Sequence, residues 1–99
     1  MSEITISNEL LAMFKQSIGD FNDNIVQNNY YKTFLTMAYS DLITDDIGKC
    51  VLETDIGKAL IVLYAEALMN KTDIATNPTI TLLRNKLSLM TKGYRVEDV

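Results

Sequence analysis

The sequence predicts an all-α fold: a compact bundle of four main helices around a buried central third helix, with a short irregular or extended connector before that helix. Residues 59–69 (ALIVLYAEALM) carry one charge, Glu66, and no helix breaker. A helix that is apolar on nearly every side must be surrounded by other protein. Residues 77–90 form a second segment whose apolar side chains recur at helical spacing. The 99 residues predict a single domain spanning 1–99.

The first half of the chain predicts two helices joined by a polar turn. Ser7 is a good N-cap for a helix that ends near Ile18, and Gly19 stands where helices commonly end in a left-handed residue. Residues 20–24 (DFNDN) are types that hydrogen-bond their own backbone in turns. A second helix over about 25–43 then carries a helical apolar stripe, which consists of Tyr31, Leu35, Ala38 and Leu42.

The central helix follows a short β-prone segment. We interpret residues 49–53 (KCVLE) as the connector, because an isolated strand has no partner for its backbone groups. The helix begins near Thr54 or Asp55, either of which can cap it, and ends near Asn70. Gly57 in its first turn costs about 1 kcal/mol of helix propensity, which predicts a close helix crossing at this point.

The last helix has the clearest start signal in the chain. Asn77 is its expected cap, and Pro78 occupies the first helical position, where proline is favoured. We expect this helix to run to about residues 90–92 and Gly93 to close it. Residues 94–99 are then expected to form a flexible tail.

This last helix carries a second apolar strip beyond its core face. The expected core face comprises Ile80, Leu83, Leu87 and Met90. At about 100° per residue, Leu82 and Leu89 fall together roughly 130° from that face, beside Lys86. A helix that packs against a single core needs only one apolar face, so a second apolar strip indicates a second partner. We therefore take Leu82, Lys86, Leu89 and the nearby Arg84 as candidate protein-interface residues. In the alternative interpretation, the tail or the first helix covers the strip.

The charge is unevenly distributed along the chain. The net charge is −4, residues 1–48 sum to −5, and residues 49–99 sum to +1. Residues 77–93 contain three basic residues and no acid. Such a dipolar module suits contact between an acidic face of one copy and a basic face of another, although an ordinary solvated surface is the alternative. The acidic balance argues against specific nucleic-acid binding, which normally requires a basic surface.

The residues that reaction chemistry commonly uses are missing from the sequence. There is no histidine, the glycines are too scattered to cradle a phosphate, and the single Cys50 has no histidine to activate it. We therefore expect no catalytic residue, no metal site and no cofactor. One cysteine is typical of a reducing cytoplasm, and no apolar run approaches the roughly 20 residues that span a bilayer. We expect no membrane partner.

The two apolar helices carry a resemblance to a known family. Residues 61–68 (IVLYAEAL), a polar loop, Asn77-Pro78 and residues 82–87 (LLRNKL) resemble the small all-helical head–tail connector proteins of tailed bacteriophages, also called DNA-packaging or head-completion proteins. That family likewise has an apolar helix with a Tyr-Ala pair, a loop, and a C-terminal helix with a Leu-Arg signature. The resemblance covers about residues 49–92, and the first half of the chain fits in architecture.

The resemblance implies a virion structural protein without catalytic activity. Copies would form a homo-oligomeric ring on the portal protein after DNA packaging, with a dodecamer as one size to consider, and would extend the DNA channel. The ring would dock the next connector or tail protein, and the chain can be monomeric alone. The protein would be found in the virion, and in the host cytoplasm during assembly.

Two other classes of function are left open by the residues. One is a small regulatory adaptor that docks one helix in a groove of a protein partner. The other is an enzyme, which would require a carboxylate pair in a concave pocket. A portal or capsid gene beside this gene would favour the connector over the adaptor.

Overall fold

The computed structural model describes residues 6–44 and 46–97, and all regular structure within these ranges is helical. Five helices follow one another along the chain: α1 Asn8–Ile18, α2 Ile25–Leu42, α3 Lys49–Leu52, α4 Asp55–Asn70 and α5 Pro78–Glu97. The Cα radius of gyration of the chain is 13.8 Å, close to the roughly 13 Å expected for a folded chain of this length. The all-α prediction is confirmed, and the helices form a compact globule.

The predicted signals set the ends of the first two helices. The Ser7 hydroxyl accepts a hydrogen bond from the Leu10 amide at 3.1 Å and so caps α1. Gly19 ends that helix with φ of 78°, in the left-handed region that glycine adopts without strain. The Asn24 side chain caps α2 by accepting from the Gln27 amide at 3.1 Å. The predicted α2 stripe is buried in full.

The connector prediction for residues 49–53 is wrong, because Lys49–Leu52 form the short helix α3. The amides of Leu52 and Glu53 donate to carbonyl oxygens four residues earlier, at 3.1 and 3.2 Å, so this segment satisfies its backbone without a strand partner. Val51 and Leu52 are each only 1% exposed. Their burial stabilises a turn of helix that local propensity would not support alone.

The close crossing predicted at Gly57 is confirmed, and α3 is the element that crosses. A Cβ atom on Gly57 would lie 2.4 Å from the carbonyl oxygen of Val51 and 2.5 Å from Cα of Leu52. Thr54, one of the two predicted caps, accepts from the Gly57 amide at 3.2 Å and starts α4. Glycine at this position therefore lets two stretches of backbone pack directly against each other.

Helix α4 contacts each of the other four helices. Its direction matches that of α1: Lys58 bonds Glu9 at 3.1 Å near the start of both helices, and Ser17 bonds Glu66 at 2.8 Å near their ends. Helix α5 contacts α3 and α4, and within the described ranges it contacts neither α1 nor α2. Helix α4 therefore lies between the α1–α2 pair and α5.

The last helix begins as predicted but ends later. Asn77 caps α5 by accepting from the Ile80 amide at 3.1 Å, and Pro78 is its first residue. Gly93 does not close the helix, which continues through Glu97. Nothing lies within 4 Å of the position where a Cβ would stand on Gly93, so this exposed glycine costs helix propensity without ending the helix. The predicted tail is thus helical over 94–97, and residues 98–99 lie outside the described ranges.

The core is built from apolar side chains of all five helices. Phe14 on α1, Leu35 on α2, Leu60 on α4 and Leu87 on α5 are fully buried. The Phe14 ring packs on that of Tyr31 with centroids 5.3 Å apart. Across the described residues we find no helix with the length and apolarity needed to cross a membrane.

Candidate assembly surfaces

The α5 strip, which we define as Leu82, Lys86 and Leu89, lies on the outer face of the last helix. Leu82 is 67% exposed and Leu89 is 68% exposed, while Ile80 and Leu87 on the inner face are at most 1% exposed. Lys86, also exposed, lies between the two leucines on the same side of the helix. Within the described ranges the first helix does not contact α5, and the side chains that the structure describes do not cover the strip. Covering by the tail stays an alternative.

The inner face of α5 holds the helix against the rest of the molecule. Near its start, Ile80 is only 1% exposed in the core. Near its end, the Thr91 hydroxyl accepts from the Gly48 amide at 3.0 Å and donates to the Leu87 carbonyl at 2.9 Å. Thr91 is only 4% exposed. The strip is therefore presented by a helix whose position is set by buried contacts on its other face.

Arg84, the fourth candidate residue, lies on another side of α5. Helix geometry places it about 160° from Leu82 around the axis. It lines an open groove of about 310 Å³ with residues of the α2–α3 connection, among them Thr44 and Ile47. The structure thus brings Leu82, Lys86 and Leu89 together and separates Arg84 from them.

Arg84 also acts on a polar contact between α2 and α4. The Tyr64 hydroxyl donates to the Asp41 carboxylate at 3.2 Å. Burial raises the pKa of Tyr64, the nearby Asp41 charge raises it further, and Arg84 partly opposes both. Tyr64 therefore stays a hydrogen-bond donor in this contact, which joins the two helices.

A second exposed apolar cluster, at the α1–α2 connection, was missed by the sequence analysis. Phe21 is 80% exposed, Ile25 is 76% exposed and Val26 is 78% exposed. The turn predicted over residues 20–24 is otherwise polar, and its prediction carries no position for the Phe21 side chain. The available signal was three large apolar residues within 21–26 that belong to no buried helical stripe. Such clustering is typical of a contact surface.

Hydrogen bonds hold the connection that carries Phe21 in place. The Tyr31 hydroxyl donates to the Asp20 carboxylate, which also accepts from the Asn22 amide at 3.0 Å. The Lys15 ammonium donates to the Asn22 carbonyl. These three bonds restrain the turn, while the large apolar side chain of Phe21 lies in solvent. Phe21 is thus displayed by an ordered turn.

An open groove of about 480 Å³ lies beside Phe21, and we call it the α1–α2 groove. Its apolar lining is Leu11, Ala12 and Phe21. Its charged lining is Asp20, Asp23 and Lys15, which sum to a net charge of −1. The hydrogen bond from the Tyr31 hydroxyl lowers the pKa of Asp20 below its ordinary value of 3.8, and the hydrogen bond from the Asn22 amide lowers it to a smaller extent. Asp20 is therefore charged at neutral pH.

The charges around the two surfaces have opposite signs. Within the described ranges the one ion pair is Lys58 with Glu9. Among the side chains that the structure describes, Asp20 and Asp23 of the groove and Arg84, Lys86 and Lys92 of α5 consequently form no ion pair. A groove with a net charge of −1 and a strip with a net charge of +1 are both available to a partner.

Within the described ranges, no group of three or more acidic or cysteine side chains is placed to hold a metal ion. Cys50 is exposed. No family model, no curated protein and no solved structure matches this chain. The expected absence of catalytic, metal and cofactor sites stays a prediction, as does the connector resemblance.

Proposed function

We propose that this chain is a structural assembly protein of a bacteriophage virion, a head–tail connector whose copies form a ring on the portal protein. In this proposal α4 is the central helix of the subunit, and the outer surfaces of the other helices meet neighbouring molecules. The observation that supports it best is the α5 strip, since two leucines on a rigidly held helix lie mostly in water. The resemblance in residues 61–68 and 82–87 supplies the biological setting.

The energetics of the α5 strip suit a contact between copies. Complete burial of two leucines is worth roughly 3–6 kcal/mol. Each is already about one third buried, so covering the strip supplies about 2–4 kcal/mol. One such contact is weak once the cost of association is included. A portal that holds several copies side by side raises their effective concentration, so weak contacts suffice in the assembled ring.

The acidic balance of the chain suits a DNA channel. A protein with net charge −4 has little electrostatic attraction for DNA phosphates, so DNA would slide past the ring without being gripped. The proposed partners are accordingly a second copy of the chain, the portal, and the next connector or tail protein. Strong DNA binding by the assembled ring at ordinary salt would contradict this part of the proposal.

The experiment begins with the genes that flank this one. If a portal gene is present, the encoded portal is purified, mixed with this protein and imaged by electron microscopy. The proposal expects an added ring of density on one face of the portal. A portal that stays bare in the presence of excess protein refutes it. Binding of one chain to a single other protein, with no ring, would instead indicate the regulatory adaptor.

A double variant tests whether the α5 strip contributes to assembly or to the core of the subunit. The double substitution Leu82→Ser and Leu89→Ser is expected to lower the free energy of unfolding by about 1–2 kcal/mol, because about one third of each side chain is buried, and to leave the protein folded. It should abolish ring formation on the portal. Met37→Ser, at a 46% exposed position on α2, is the matched control and should leave the ring intact. If the double variant unfolds, the strip belongs to the core and its assembly role is wrong.

A further inference from the structure

We propose that the α1–α2 groove of one copy receives the α5 strip of the next copy, so that copies join head to side. This inference rests on the proposed function, because a closed ring requires two different, complementary patches on every subunit. It goes further by naming both patches, one at each side of α4.

The shapes of the two surfaces fit the docking of a helix in a groove. Leu82 and Leu89 lie seven residues apart on one face of α5, so their backbones are separated by about 10 Å along the axis. The groove offers Leu11, Ala12 and Phe21 as its apolar lining. Helices that bind in apolar grooves commonly use anchors at this spacing.

The charges favour the same pairing and its orientation. Lys86 lies between the two leucines of the strip, and Asp20 and Asp23 line the groove. Contact between strip and groove brings the Lys86 ammonium group towards two carboxylates and one ammonium group, that of Lys15, so the net attraction is that of one negative charge. Contact of the strip with another strip would bring one Lys86 towards another, which like-charge repulsion disfavours. Since both complementary surfaces belong to this chain, the occupant is a second copy.

A chain does not fill its own groove with its own strip. Helix α5 contacts α3 and α4, and in the described part of the molecule it reaches neither α1 nor α2. The strip and groove are thus separated by α4 and remain open together on one subunit. A head-to-side contact between such patches continues from copy to copy and closes when the rotation per subunit allows it.

Disulfide cross-linking tests the contact directly. All proteins carry Cys50→Ser, which removes the exposed native thiol. One tagged population carries Ala12→Cys in the groove, and an untagged population carries Asn85→Cys beside the strip, with both leucines retained. The mixture, at millimolar concentration and also with portal, is expected to form tagged–untagged disulfides, while neither population alone forms dimers.

Charge reversal provides the specificity control. Lys86→Glu in the Asn85→Cys population should lower the cross-linking rate about tenfold, and Asp23→Lys in the Ala12→Cys population should restore it. Lys49→Glu, at an exposed position on α3, should leave the rate unchanged. Equal urea midpoints by circular dichroism establish that each variant is folded.

The outcomes separate this inference from the proposed function. Rings on the portal whose subunits do not cross-link would overturn the pairing and leave the connector proposal standing. Cross-linking without portal binding would support the pairing and refute the connector. Cross-linking of the Asn85→Cys population with itself, as fast as in the mixture, would show strip-to-strip contact and overturn the pairing. An absence of cross-links in every mixture, with or without portal, would overturn it too.

Discussion

Replacing Gly57 with alanine is expected to destabilise the fold by about 2–3 kcal/mol, although alanine is the better helix former. The added Cβ would lie 2.4 Å from the Val51 carbonyl oxygen, whereas ordinary contacts begin at 3.4 Å. Helix α3 must therefore retreat by about 1 Å, because the obstructing atoms are backbone and cannot rotate away. Retreat loosens Val51 and Leu52, whose complete burial is worth roughly 1.5–3 kcal/mol each.

The magnitude follows from partial loss of that packing. Overpacking of a core typically costs about 1–3 kcal/mol, loosened burial adds to it, and the gain in helix propensity returns at most about 1 kcal/mol. A domain of this size has roughly 5–15 kcal/mol of stability, so the loss is a large share of the total. The melting temperature should fall by roughly 8–24 °C, at about 4–8 °C per kcal/mol.

Gly93→Ala is the matched control for this prediction. Gly93 is also inside a helix, but nothing lies within 4 Å of its would-be Cβ. This variant should gain up to about 1 kcal/mol. Urea unfolding monitored by far-UV circular dichroism measures both changes. A Gly57→Ala protein that unfolds at or above the wild-type midpoint would refute the packing of α3 on α4 described above.

Three further stability changes follow from individual contacts. Thr91→Val removes the acceptor of the Gly48 amide and should cost about 1–2 kcal/mol by urea unfolding, while Thr91→Ser should stay near wild type. Gly19→Ala, at φ of 78°, should cost about 1 kcal/mol, and an unchanged midpoint would contradict the left-handed cap. The pKa of Asp20 is lowered in the folded protein, so its hydrogen bond with Tyr31 contributes stability at pH values above the ordinary pKa of 3.8. This contribution is lost as the pH falls through the lowered pKa. Tyr31→Phe should therefore reduce the acid-induced fall of the urea midpoint, and an unchanged pH profile would contradict this role.

Local signals in the sequence predicted the helix ends that local chemistry determines. The caps at Ser7, Thr54 and Asn77 and the left-handed Gly19 each act within a few residues of the chain, so the sequence shows them directly. The inner face of α5 followed from spacing alone, since Ile80 and Leu87 are buried as expected. These features need no knowledge of distant contacts.

Tertiary contacts decided the features that were predicted wrongly or missed. Helix α3 is one turn long and is stabilised by burial against α4, which its β-prone composition does not reveal. Thr91 resembles a surface residue, and its partner Gly48 lies 43 positions away. Phe21, Ile25 and Val26 fit no helical stripe, so the periodicity of the sequence does not indicate where they lie. Helix α5 continues past Gly93, whereas α1 ends at Gly19, which adopts a left-handed conformation with φ of 78°.

The placement of the candidate interface residues followed in part from helical spacing, while their role in an interface stays a prediction. Leu82, Lys86 and Leu89 share an exposed face of α5, as the helical spacing indicated, whereas Arg84 does not. The α1–α2 groove depends on how two helices and their connection pack, so it became visible only in three dimensions.

Hydroxyl-radical footprinting of the protein, free and mixed with its portal, measures most directly whether the α5 strip is an assembly surface. Leu82 and Leu89 should be oxidised in the free chain and become protected in the mixture, while the buried Ile80 and Leu87 remain unmodified in both. Equal oxidation of the two strip leucines with and without portal, under conditions where the portal is saturated, would contradict the account.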